Sequence, residues 1–486
     1  MNVTEPLRRL ALTLPDRPAL VGCDDTVIDY ETLDELIDLV GLEAERRGLG
    51  PGDVVGLDLA GLDQFRALVV ALGLARRGVA TAASLAGGLK LRVLTGGQPA
   101  PPPGTPPARQ PAERLDQFWD GMAAGRGDIP LGPIHPDPAA PFRIFSSSGT
   151  TGRPKTMLID HRMMARRVYD QSHALIPFSP VHAPAVALST TWGMTQALRT
   201  LWAGGALVLS HTAALHGAVL RHGVTSIACA PIVLAEILAA MPAEAPPPPT
   251  LLRVEVSGSA LPAKLRRQAE ARLCPVVINY IGSAEAGGVA SAAFALLDAA
   301  PPGAAGYLHP GVRAEAVDEN DRPLPPGAQG LLRVRTMAPV AGYLDDPKTT
   351  AEQFRDGWFY PGDLGAVTAD GLLIVNGRAS EVINAGGVKV APTVIEQALD
   401  ERPEVIECAA FGAPDSDGVT RVWAAVVADE PVDAAALTAY LASRLGDIAP
   451  RRLMQVSSLP RNANGKVLRS VLTEMAARPG HRAPRV

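Results

Sequence analysis

The sequence predicts an α/β protein in two parts. The larger is an N-terminal domain of layered α/β subdomains with a small β-barrel-like portion; the smaller is a C-terminal α+β domain. Three observations carry this. Helix-period and strand-period segments alternate along most of the chain. The length, 486 residues, exceeds the size at which one hydrophobic core stops growing. The last stretch, roughly a hundred residues and a normal size for an independent domain, repeats the alternation by itself.

The elements follow in order. Apolar positions at helical spacing (Leu33, Leu36, Ile37, Val40, Ala44) predict a helix over Thr32 to Arg47. Val54 to Leu59 reads as a strand and Gln64 to Arg77 as a helix. Prolines at 99, 101, 102, 103, 106, 107 and 111 make Gln98 to Ala112 a surface linker, because proline blocks helix and lacks an N–H donor. Alternation resumes with a helix over Met163 to His173 and a strand over Ala185 to Ser189. Leu198 to Leu209 reads as a buried helix-to-strand unit, interrupted by Arg199 and Gly204-Gly205. Strands are expected at Thr225 to Ala228, Val254 to Ser257 and Val276 to Tyr280, with a helix over Pro262 to Leu273. Gly330 to Arg335 and Leu372 to Val375 carry the β-rich pattern of the barrel-like portion. The boundary should fall just after Arg378, giving domains 1–379 and 380–486. Beyond it lie a strand at Val382-Ile383, a helix over Pro392 to Glu401, strands near Val405 to Phe411 and Val422 to Val427, and a helix over Ala434 to Leu445.

Composition excludes several classes of function. Hydrophobic residues make up 47% and charged residues 20%, enough apolar surface for globular cores. A net charge of -5 offers no basic field for nucleic acid. The four cysteines, Cys23, Cys229, Cys274 and Cys408, form no CxxC pair, so zinc and redox chemistry are not expected; reduced thiols fit a cytoplasmic protein. The N-terminus lacks the apolar core of a leader, and no apolar run is long enough to cross a bilayer.

Phe145 to Lys155, Phe-Ser-Ser-Ser-Gly-Thr-Thr-Gly-Arg-Pro-Lys, places five hydroxyls beside two glycines and a lysine. Hydroxyls and bare N–H groups suit a polyphosphate, and Lys155 adds a point charge. The run is not a Walker A loop, since Pro154 stands where glycine is required. Alone, it reads equally as a polar surface loop. Further polar islands follow: Asn279-Tyr-Ile-Gly-Ser-Ala-Glu285, Gly357-Trp-Phe-Tyr-Pro-Gly-Asp363, Gly377-Arg378-Ala379-Ser380-Glu381 and Leu459-Pro-Arg-Asn-Ala-Asn-Gly-Lys466. In composition and order these five segments resemble the motifs of the adenylate-forming superfamily: acyl- and aryl-CoA synthetases, adenylation domains of peptide synthetases, and luciferases.

The resemblance implies a chemistry in which a carboxylate attacks the α-phosphate of ATP, releasing pyrophosphate, before a thiol takes the acyl group. Two anions must meet, so the protein must neutralise charge. Ser147, Ser148, Gly149, Thr150, Thr151, Gly152 and Lys155 would cradle the β- and γ-phosphates. Glu285 would hold Mg²⁺, which favours one or two carboxylates plus phosphate oxygens. Asp363 would accept from the ribose hydroxyls, a task for a two-oxygen acceptor, and Arg378 would contact ribose or phosphate. Ser257, Gly258, Tyr280, Ile281 and Gly282 would line the nucleotide site. Lys466, on a mobile loop, would bridge α-phosphate and carboxylate. Gly386-Gly387 is either a plain turn or the lining of a CoA pantetheine tunnel. Ser380 would be the hinge of a mobile C-terminal domain. Thr190, Trp192, Met194, Ser257 and Gly258 would wall the acid pocket.

Departures from the family pattern are concentrated in packing groups. Ile281 stands where an aromatic residue usually stacks on adenine, with Tyr280 one place early. Ala284 replaces a threonine, Pro361 a threonine, Ser380 an Asp or Lys, and Thr190 a histidine. The charged groups are kept, which points to an active enzyme with an unusual pocket. CoA is the expected acceptor. The alternatives are a carrier protein acting in trans, adenylation of an atypical small anion, or a nucleotide-binding protein without catalysis.

Overall fold

A computed structural model describes residues 1–57, 64–82, 91–94, 112–114, 132–147, 155–175, 181–385, 387–415, 418–461 and 467–477. Most of the Gln98–Ala112 linker lies outside these residues; its last residue opens a short strand, Ala112–Arg114. The large part is built on two sheets. A six-stranded sheet carries Pro141–Ser147 and, antiparallel to it, Lys155–Asp160. A fifteen-stranded sheet has an antiparallel edge pair, Pro18–Val21 with Val27–Asp29, then parallel strands, then antiparallel strands toward its C-terminal end. Its parallel centre orders Val181–Ala185, Ser226–Cys229, Arg253–Val256 and Val277–Ser283 side by side. Helices Thr191–Trp202 and His161–Leu175 pack together, and Leu198 and Leu201 of the former reach zero exposure in the main core with Val168 of the latter.

The barrel-like portion is not a closed barrel among the described residues. Strands Gly287–Ala293, Ala304–Leu308, Gly330–Arg335, Asp363–Val367 and Leu372–Arg378 continue the large sheet. They bend around a small core of Ala290, Leu332, Val334, Phe359 and Leu373. Register shifts between Ile281 and Gly282 and between Leu364 and Gly365 mark where the sheet twists, as bulges do.

One strand falls earlier than the sequence predicts. Val181–Ala185 is the strand, whereas Ala187–Thr190 is a turn. Pro184 argues locally against a strand. Downstream, the Thr190 hydroxyl accepts from Gly193 N at 3.0 Å and caps the next helix, so the chain must turn there.

Beyond Arg378 the chain builds separate cores. Ile395 and Leu399 of the Pro392–Asp400 helix pack against Ala424 and Val426 of the Thr420–Val427 strand. The other face of that sheet packs Phe411 and Trp423 against Leu472. Within this part Asp400 is mostly buried beside Cys408, whose thiol donates to it at 3.5 Å. Burial raises its carboxyl from 3.8 to about 6. The folded state therefore keeps a proton that the unfolded state has lost between those values. Stability then falls as pH rises through that window, by about 3 kcal/mol in total. Asp400→Asn is expected to remove this slope and raise stability above pH 6. Urea midpoints from pH 4 to 7.5 check it; an unchanged slope in the variant would assign the effect to other groups.

Candidate active site

The carboxyl ends of the parallel strands gather the site, where open α/β sheets commonly bind ligands. Val277–Ser283 leads into Glu285, which is 8% exposed. Its carboxylate accepts from the Tyr343 hydroxyl at 3.0 Å, and that hydroxyl lies 2.6 Å from the Gln353 amide. Burial, then the charge of Glu285, pushes the Tyr343 phenol well above its ordinary value, so it remains a donor at neutral pH.

The backbone beneath Glu285 is held largely by one arginine. Arg167, 3% exposed on the His161–Leu175 helix, donates to three carbonyls: Ala284 and Glu285 at 2.8 Å and Ala338 at 3.0 Å. Its planar fork suits this divergent set. Burial lowers its pKa to about 10, opposed by the charge of Glu285, and it stays cationic at neutral pH. Val340 N donates to Glu285 O at 3.0 Å and the Thr336 hydroxyl to Ala286 O at 2.7 Å. The segment 336–343 is thus clasped onto 284–286.

Tyr343 is where distant segments meet. The Lys155 ammonium lies 4.8 Å from its ring centroid, a cation–π contact. Asp363 and Arg378 are directly opposite in antiparallel register, and Arg378 Nε pairs with Asp363 Oδ1 at 2.8 Å. Arg378 Nη1 also donates to Pro361 O at 2.7 Å, and the Asp363 side chain is 24% exposed. The two expected nucleotide contacts therefore hold each other. Gly362, with φ of +83°, makes the turn that presents Asp363.

Other predicted residues go to different places. Ser257 and Gly258 follow the end of Arg253–Val256; Gly258 has φ of +102° and open space where a Cβ would point. A Cβ on Gly282 would lie 2.6 Å from Gly287 O, so the bulge there requires glycine. Tyr280 is buried, stacked on Trp192 with centroids 5.7 Å apart, and its other neighbour ring is His309. Ile281, next along the strand, faces the opposite side and packs on the small antiparallel core. Met194 is fully buried in the main core and Thr190 is an exposed cap. Ser380 is exposed in a short turn, Ala379–Glu381. Before it, Ala379 N donates to Gly362 O at 2.9 Å; after it, Glu381 pairs with Arg469 at 2.7 Å. Gly387 N donates to Asn384 Oδ1 at 3.1 Å in an exposed hairpin turn. The backbone of Ser147 ends its strand, while Ser148, Gly149, Thr150, Thr151, Gly152, Gly386 and Lys466 lie outside the described residues.

Sequence reasoning missed Arg167, Tyr343 and Gln353. Arg167 sits in an ordinary polar helix with no motif around it. Tyr343 carried a faint signal, Ala341-Gly342-Tyr343 just before a proline-started helix.

A shielded carboxylate at the carboxyl edge of the parallel strands, a cation from the six-stranded sheet and an Asp–Arg pair from the antiparallel strands define a class of nucleotide-type α/β sites. Comparison with known proteins makes it specific. Residues 91–344 match the AMP-binding enzyme family, and residues 394–466 match the AMP-binding enzyme C-terminal domain. The chain is 34% identical to a sulfoacetate–CoA ligase of Cupriavidus necator, over 71% of this chain and 69% of that protein. It is 29% identical to the fatty acid–[acyl-carrier-protein] ligase ScoC of Streptomyces coeruleorubidus, over 95% and 93%. The fold matches that of ATP-bound MatB from Rhodopseudomonas palustris with a TM-score of 0.83 at 24% identity, covering 98% and 99% of the two chains. The chain belongs to the AMP-binding enzyme family and is an AMP-forming acid–thiol ligase. Among the described residues, no helix is long and apolar enough to cross a membrane.

Proposed function

We propose that the protein activates a small carboxylic acid with ATP and Mg²⁺, forming an acyl-adenylate and releasing pyrophosphate, and then passes the acyl group to the thiol of CoA. The observation that carries this is the meeting at Tyr343 of Lys155 and Glu285, residues far apart in sequence. The donor set fits the nucleotide and its ion. Glu285 offers one shielded carboxylate, the kind of ligand Mg²⁺ accepts when phosphates complete its shell. The half-exposed edge of the Asp363–Arg378 pair suits a ribose. When bound, Mg²⁺ would supply charge neutralisation across the phosphates.

In this reading the chain's own groups do the rest. Lys155 neutralises phosphate charge. Tyr343 fixes one oxygen of Glu285, and Arg167 fixes its backbone. Asp363 accepts the ribose hydroxyls while Arg378 holds Asp363 in place. Lys466 is assigned to the bond-forming step by its motif; the neighbouring residues Arg461 and Val467 pair as a bridge that closes the base of its loop. Ser380 is assigned as the hinge between domains 1–379 and 380–486. Ala379 is tied to the large part and Glu381 to the small one, which leaves Ser380 between two anchors.

The test is pyrophosphate release across a panel of short carboxylic acids, with and without CoA. Release that depends on an acid, followed by thioester formation only with CoA present, is the expected result. Absence of acid-dependent release would overturn the adenylation reading. The likeness to ScoC favours a second acceptor, a carrier protein in trans. Acid-dependent release with no CoA thioester, and acyl transfer to a phosphopantetheinylated carrier, would select it.

A further inference from the structure

The parallel centre of the sheet is two-faced. Ile227, Cys229, Val254, Val256 and Val277 form one apolar core on one side. The alternate residues Ser226, Arg253 and Glu255 share the other side with His182 and Tyr280. Over this side lies the Thr191–Trp202 helix, which presents Trp192, Gln196 and Arg199 at i, i+4 and i+7. Its opposite face, with Met194, Leu198 and Leu201, belongs to the main core.

Glu255 is fully buried and well served. It accepts from Gln196 Nε2 at 2.8 Å, from Arg199 Nη2 at 3.1 and 3.2 Å, and from Arg253 Nε at 3.0 Å. Burial acts to raise its carboxyl, but the two arginines outweigh this and hold it at about 2. Its neighbours are not so served. Arg199 Nε and Nη1, Trp192 Nε1, the Tyr280 hydroxyl and Gln196 Oε1 are buried with no hydrogen-bond partner. Arg199 itself is 2% exposed. Two arginines against one carboxylate leave a net positive charge, and His182 does not change this, because burial and then Arg199 lower it to about 3. Buried cations are normally paired, and buried donors normally bonded. Here half of a guanidinium, an indole N–H and a phenol are left over on one side of one buried cluster. Tyr280 is held in place: a Cβ on Gly288 would lie 2.0 Å from its hydroxyl, so only glycine admits it.

We propose that Arg199, with Trp192 and Tyr280, receives a second anionic group of the substrate, a carboxylate or a sulfonate, so that the preferred acids are short dianions. The proposal rests on the assignment of Trp192 to the acid pocket. The anion completes the pairing of Arg199 and cancels the charge that Glu255 leaves over. A monoanion of the same length puts a methyl group against unpaired donors.

The experiment is calorimetric titration of the full-length protein with a non-hydrolysable ATP analogue present. Malonate is compared with propionate, succinate with butyrate, and sulfoacetate with propionate. At least one dianion is expected to bind at least about tenfold more tightly than its monoanionic partner, and the malonate and sulfoacetate arms separate carboxylate from sulfonate. Arg199→Gln leaves Glu255 paired with Arg253 and Gln196, so it creates no lone buried charge. It is expected to abolish the preference, and Arg199→Lys is expected to restore part of it. Wild-type protein that binds no dianion more tightly than its partner overturns the proposal, as does an Arg199→Gln protein that keeps the preference. The wild-type comparison decides alone where a variant fails to fold. A dianion preference without pyrophosphate release sinks the adenylation reading and leaves this one standing; release with monoanions at equal efficiency does the reverse.

Discussion

Lys466→Ala is expected to lower acyl-adenylate formation by two to three decades, while sparing thioester formation from supplied acyl-adenylate. Removing one aimed charge at a developing transition state costs roughly 3–4 kcal/mol. No other cation in the C-terminal motif replaces it: Arg461 is engaged with Glu407 at 3.1 Å. The split between half-reactions is the informative part. On the proposed assignment, Lys466 and Gly387 belong to one small domain and serve one site at different stages, which requires that domain to present first one segment and then the other. Single-turnover measurements of the two steps check this. Equal losses in both would remove Lys466 from the bond-forming role and remove the need for rotation about Ser380.

Arg167→Leu should be the most damaging substitution among the described residues of the site. Three carbonyls lose a charged donor at once, although Glu285 O keeps Val340 N. A hydrogen bond from a charged group is worth about 1.5–3 kcal/mol, and a buried carbonyl left unsatisfied costs about 1–3 kcal/mol. The same change releases the backbone of Glu285, and misplacement by an ångström can cost about a hundredfold in rate. Arg167→Lys is expected to recover part of the stability but little of the rate, because a point charge cannot serve three divergent acceptors. Urea unfolding and pyrophosphate release, measured on the same preparations, check both. A folded Arg167→Leu protein at the parent rate would show that Glu285 is positioned without it.

The sequence exposed those parts of the molecule whose physics is local. The strand Gly330–Arg335 and the helix Ala434–Leu445 fall where periodicity places them. Asp363 and Arg378 were legible because each sits beside a glycine that a turn or bulge demands. Arg167 was not, since its role is to reach carbonyls 117, 118 and 171 residues away, and carbonyls leave no mark in a sequence. The strand at Val181–Ala185 was hidden by Pro184, which a local reading penalises and the sheet accommodates. Arg253-Val-Glu-Val256 carried a visible signal that went unused. A strand buried between helices normally reads as a continuous apolar run, so charges at alternate positions announce a polar interior.

That two-faced strand has a consequence for how the protein can diverge. Val254 and Val256 anchor the fold from one side, and Arg253 and Glu255 set the chemistry from the other. The residues that choose a substrate are thereby insulated from those that hold the domain together. A lineage can exchange Arg199, Arg253 and Glu255 together for apolar residues of similar volume, and so move to acids without a second charge, without disturbing the packing beneath.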